Sequence, residues 1–108
     1  MAACVGYEAV RGLGLALGKV NLPTWQILPA DLKAAHRLAV RRVLGGETEP
    51  HVIHQEWVRQ KLEEGWRRGR EYDYARREHP HLAPWVELPE DNRMEYKIFI
   101  AVVRAFAE

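Results

Sequence analysis

Serine is missing altogether from the 108 residues, and cysteine occurs once, at Cys4. The first absence removes any serine nucleophile, while Thr24 and Thr48 stand at expected helix starts rather than in a reactive setting. The second excludes an internal disulfide framework and any zinc site built on two or more thiolates. A lone thiol in the first turn of an apolar helix reads as inert, and the reducing cytoplasm is the expected compartment. Long hydrophobic runs are also lacking. The uncharged stretch from Gly12 to Gly18 falls far short of the roughly 20 residues that span a membrane. No positive region precedes it and Glu8 and Arg11 interrupt its approach, so the amino-terminal segment reads as mature fold rather than a signal peptide. Nor does one sign of charge dominate: 16 Lys+Arg against 15 Asp+Glu leave +1. That balance argues against a polybasic nucleic-acid binder.

What is present is a chain with 47% hydrophobic and 29% charged residues, the composition of one globular domain over 1–108. Apolar spacing predicts an all-α fold of four helices. The first runs from Ala3 to Leu17, closed by Gly18. The second opens at Pro29 and is stopped by Gly45 and Gly46. The third opens at Thr48 as N-cap, with Pro50 in its first turn, and ends at Gly65. The last opens at Pro89 and runs to the carboxyl terminus. Gly12, Gly14 and Gly18 follow no strand and lack a phosphate-loop spacing, so they read as points where two helices approach closely. From Trp66 to Leu88 lies a long irregular connection, with a short hairpin or a single helical turn expected near Asp73 to Arg77.

An internal repeat is visible. The segment Pro23-Thr-Trp25-Gln-Ile-Leu28-Pro29 returns 60 residues later as Ala83-Pro84-Trp85-Val-Glu-Leu88-Pro89, and at the same offset Asp31 meets Asp91 and Lys33 meets Arg93. Two such units suggest helices related by an approximate two-fold axis. The last helix carries one apolar stripe of Phe99, Val102, Val103 and Phe106, and a second of Ile98, Ala101 and Ala105. Such a helix is either central or shared with a partner chain, and a homodimer is expected.

The chemistry-bearing residues point to binding. His51 and His54, and His79 and His81, form two pairs with no carboxylate at a ligand spacing, so no metal is assigned. Glu63, Glu64, Glu71 and Asp73 stand among arginines as a solvated charge face rather than an acid–base pair. By contrast, Trp57, Trp66, Tyr72, Tyr74 and Trp85 interleave with Arg59, Arg67, Arg68, Arg70, Arg76 and Arg77. Flat rings stack on bases and guanidinium groups grip phosphate oxygens, a combination suited to a nucleotide-like ligand. The competing reading of the same residues is a packed aromatic core under a salt-bridged surface.

His54-Gln-Glu56-Trp57, Glu64-Gly65-Trp66-Arg-Arg-Gly69, Asp73, and His79-Pro80-His-Leu82-Ala-Pro84-Trp85-Val-Glu-Leu88-Pro89 resemble the RyR domain, the repeat module of ryanodine receptors. Tyr7-Glu8-Ala9 and Pro23 to Pro29 resemble free-standing bacterial and phage members. Arg68 stands where the family usually has tyrosine, Arg70 where proline is common, His81 in place of cysteine, Trp85 in place of tyrosine, and Tyr96 where aspartate is frequent. The resemblance implies a mostly helical module of approximate two-fold symmetry. It also implies adenine-nucleotide and drug-like ligands in the receptors, and nucleotide-signalling contexts in prokaryotes. The expectation is a non-enzymatic module, without cofactor and dimeric, for an adenine nucleotide, ADP-ribose or a cyclic relative. In it Trp57, Trp66, Tyr72 and Trp85 line the stacking surface and Arg67, Arg68 and Arg70 meet phosphates. A protein-interaction module using the same aromatic patch is the alternative, and an RNA or single-strand DNA binder is disfavoured by net charge.

Overall fold

The computed structural model describes residues 1–18 and 22–107. It is mainly helical, with α1 (Ala2–Ala16), α2 (Ala30–Leu44), α3 (Pro50–Glu63) and α4 (Glu90–Ala107). Short 3₁₀ turns, Trp25–Ile27 and Trp85–Glu87, precede α2 and α4. The two strands β1 (Arg67–Arg68) and β2 (Glu78–His79) pair in parallel. Three helices start later than expected. A residue before proline is pushed to extended backbone, which places Glu49, not Thr48, at the N-cap of α3. Pro29 itself lies extended at ψ 148°, so α2 begins at Ala30, and α4 likewise begins one residue past Pro89. Among the described residues no helix is long and apolar enough to cross a membrane.

Every helix contributes to one core of Ala3, Val40, Val43, Ile53, Phe99, Ile100 and Val103, the last fully buried. Helix α4 packs against the other three, so its breadth of apolar surface is largely used inside the chain. Ala101, Ala105 and Phe106 remain exposed on it. The close crossing of α1 and α4 occurs at Gly6, where a Cβ would stand 2.7 Å from the Phe99 ring. Gly12 faces open space instead, and Gly18 serves as the expected turn beyond α1 with φ +72°.

The repeat extends through all four helices and both 3₁₀ turns. The 3₁₀ turns and the helices after them correspond at an offset of 60 residues, and α1 corresponds to α3 at an offset of 47. The offset of 47 pairs Gly18 with Gly65, both at positive φ just past their helices. Each unit is built round a triad of rings. In the first, Tyr7 packs on Trp25 at 5.8 Å and on His36 at 5.0 Å, with Trp25 and His36 6.1 Å apart. In the second, His54 packs on Trp85 at 6.0 Å and on Tyr96 at 5.2 Å, with Trp85 and Tyr96 5.6 Å apart. Even the tether to the turn is repeated. Tyr7 Oη donates to the Pro23 carbonyl at 2.6 Å, and His54 Nε2 meets the corresponding Ala83 carbonyl at 2.6 Å. Tyrosine and histidine have exchanged places while the geometry is kept.

Candidate functional site

Residues 66–82 break this correspondence, for only residues 19–22 separate Gly18 from Pro23 in the first unit. This insert holds most of the expected site. Gly65, at φ +90°, turns the chain so that the Trp66 amide donates to the Lys61 carbonyl at 2.9 Å. The Trp66 side chain is only 3% exposed. It lies against Tyr72 and Tyr74, each at 6.0 Å, with the Lys61 ammonium 5.4 Å and the Arg77 guanidinium 5.8 Å from its ring. Trp66 therefore seats the insert on the helices and has no free face for a ligand. Trp57 is half-buried between His54 at 5.8 Å and His79 at 5.0 Å, and Tyr72 sets its ring on His79 at 5.4 Å. Burial, reinforced by His81, Lys61 and His54, pushes the His79 pKa down to about 4, so this contact ring is neutral at pH 7. The rings form one continuous packed series from Trp85 to Tyr74. The expected turn closes as a bridge between Asp73 and Glu78, with Arg77 at φ 54°.

Of the arginines, Arg77 lies on those rings, but Arg67, Arg68 and Arg70, expected to meet phosphates, do not. Arg67 pairs with Glu78 at 3.2 Å and Arg68 with Glu87 at 3.3 Å, while Arg70 has no carboxylate partner among the described residues. Arg68, Gly69, Arg70 and Pro80 border a shallow depression of about 550 Å³ that contains no aromatic ring.

Trp85 opens elsewhere. With Glu49, Pro50 and His51 at the start of α3, and Glu90, Arg93 and Lys97 along α4, it lines a groove of about 470 Å³. Its ring is braced from behind by His54 and Tyr96. A carbonyl only accepts, so the contact to Ala83 places the His54 proton on Nε2, and Nδ1 accepts from the Tyr96 hydroxyl at 2.7 Å. Burial lowers the His54 pKa and raises that of Tyr96, which keeps both neutral and this hydrogen-bond pattern fixed. Arg93 is drawn toward Glu90, Nη2 to Oε2 at 2.8 Å, and His51 lies 3.9 Å from Glu49. Lys97 has no carboxylate partner among the described residues.

The segment 47–103, which contains this groove, the insert and α4 almost to its end, matches the family model for the RyR domain. The chain belongs to the RyR domain family. No curated protein and no solved structure matches it. The matched span begins after α2, so the first unit of this RyR domain, with its own Trp25 triad, lies outside it.

Arg93 and Lys97 were not among the residues expected to meet a ligand, yet the signal lay in the repeat. They follow Trp85 at the spacing by which Lys33 and Arg37 follow Trp25. The groove of this RyR domain thus combines a braced indole, two long cations and two carboxylates. It is equipped to stack a flat ring and hold an anionic group beside it.

Proposed function

We propose that this RyR domain is a non-enzymatic binding module for a nucleotide-derived small molecule. The class is an adenine nucleotide, ADP-ribose or a cyclic relative, and the module senses or sequesters it, in keeping with phage or bacterial nucleotide signalling. The observation that carries this reading is the groove in which Trp85 and the cations Arg93 and Lys97 stand together. A base stacks on Trp85, and its phosphates meet Arg93 and Lys97. Glu49 lies near His51 and Glu90 pairs with Arg93, and both carboxylates stay solvated, so no acid–base step is assigned to them. Arg68, paired with Glu87, lines the other depression and not this groove.

The test is thermal stabilisation by ADP, ADP-ribose and cyclic AMP. Ligand at about 100 times its dissociation constant adds about 2.7 kcal/mol of apparent stability. Trp85→Ala should weaken binding by about 1–3 kcal/mol, the loss of one stacking partner, whereas Arg70→Ala should leave it unchanged. The reverse pattern would move the site to the arginine depression. Absence of stabilisation by all three compounds favours the protein-binding alternative, for which Val86, 79% exposed at the tip of the second 3₁₀ turn, is the supporting observation. The same reading has the module pairing with a second copy through the exposed Ala101, Ala105 and Phe106. A monomer in sedimentation would remove that part alone.

A further inference from the structure

The two units share the same cation–tryptophan wiring, but it rests in different positions. In the first, the Lys33 ammonium lies 5.7 Å and the Arg37 guanidinium 5.6 Å from the Trp25 ring centre. In the second, the corresponding Arg93 and Lys97 line the groove, and among the described residues no cation covers the Trp85 ring. The first turn of the helix differs at one telling position, where α2 has Ala30 and α4 has Glu90. Glu90 and Arg93 are one turn apart and joined at 2.8 Å. Lys33 has no carboxylate one turn back, and its ammonium donates to the Gln26 carbonyl at 3.2 Å while resting near Trp25.

We infer that Glu90 is a positioning residue that keeps the Trp85 groove open by holding Arg93 off the ring. An exposed ion pair and an exposed cation–π contact are attractions of similar size, so one carboxylate is enough to decide where the guanidinium rests. Without it, Arg93 settles on Trp85 as Lys33 settles near Trp25, and the stacking face is lost. That this face receives a nucleotide rests on the reading above; the position of Arg93 does not.

The test uses ligand-free protein first. In NMR spectra the Arg93 δ-methylene protons should shift upfield in Glu90→Ala, under the ring current of Trp85, and stay near their parent position in Glu90→Asp. Ala30→Glu is the converse and removes nothing from the fold. It should draw Lys33 away from Trp25 and move its ε-methylene protons downfield. Titration with ADP should then show binding to Glu90→Ala weakened by about two- to fivefold, the size of an exposed cation–π contact. Unmoved Arg93 protons in Glu90→Ala, or tighter ADP binding without an upfield shift, would overturn the inference. If ADP binds neither protein, the function proposed above fails while the proton shifts still decide the role of Glu90.

Discussion

His36 and His54 show how position within one motif changes what a side chain contributes. His54 has a partner on each ring nitrogen. His36 is wrapped by Tyr7, Trp25 and Phe99, with no hydrogen bond among the described residues. Burial first, and the nearby Lys61 charge second, lower its pKa to about 4. The unfolded chain takes up that proton near pH 6.5, so stability from a neutral His36 is complete above that pH and lost as pH falls toward 4. The loss amounts to roughly 2 kcal/mol between pH 7 and 4.5. His36→Phe keeps the aromatic packing and removes the titration. Urea unfolding at the two pH values should show a smaller difference for the variant than for the parent, the His79 share remaining. An unchanged difference would mean that His36 is not held neutral by its surroundings.

At the scale of elements, the insert 66–82 depends on one side chain. Trp66→Ala should cost about 3–5 kcal/mol, as for other buried tryptophans. Hydrogen exchange should quicken at the amides of Arg67, Asp73 and Glu78, whose bonds to Arg77, Glu78 and Asp73 shape the insert. A variant of full stability would make Trp66 a free platform after all. The helices themselves were legible, since their apolar spacing is regular and proline and glycine mark their ends. The Trp-x-x-Leu-Pro turns were legible because they occur twice. The matching of α1 with α3 was hidden, because Tyr7 and His54 do the same work with different chemistry and only the glycine beyond each helix is shared. Tryptophans were visible, but residue type does not encode burial. Trp66 and Trp85 read alike until the Gly65 turn folds one under the insert and the 3₁₀ turn leaves the other at a groove. Likewise, which glycine marks a helix crossing is decided by the Phe99 ring opposite Gly6, a partner far away in sequence.

For the molecule as a whole, the units are interlocked rather than merely adjacent. Helix α4 of the second unit finds its tightest crossing against α1 of the first, and the stretch matched by the family begins only after α1 and so does not contain that surface. A fragment of residues 47–108 should therefore show little cooperative melting by circular dichroism, and adding a peptide of residues 1–46 should restore it. A fragment that melts cooperatively by itself would show that α1 is dispensable. Because α1 fits α4 in whichever molecule it meets, two chains have the means to trade first units across the Gly45–Gly46 turn, where Gly46 already sits at φ +111°. An exchanged dimer of that kind would keep the packing of α1 on α4 and give up only the closed turn, whose Gly46 and Glu47 amides donate to the Val43 and Arg42 carbonyls.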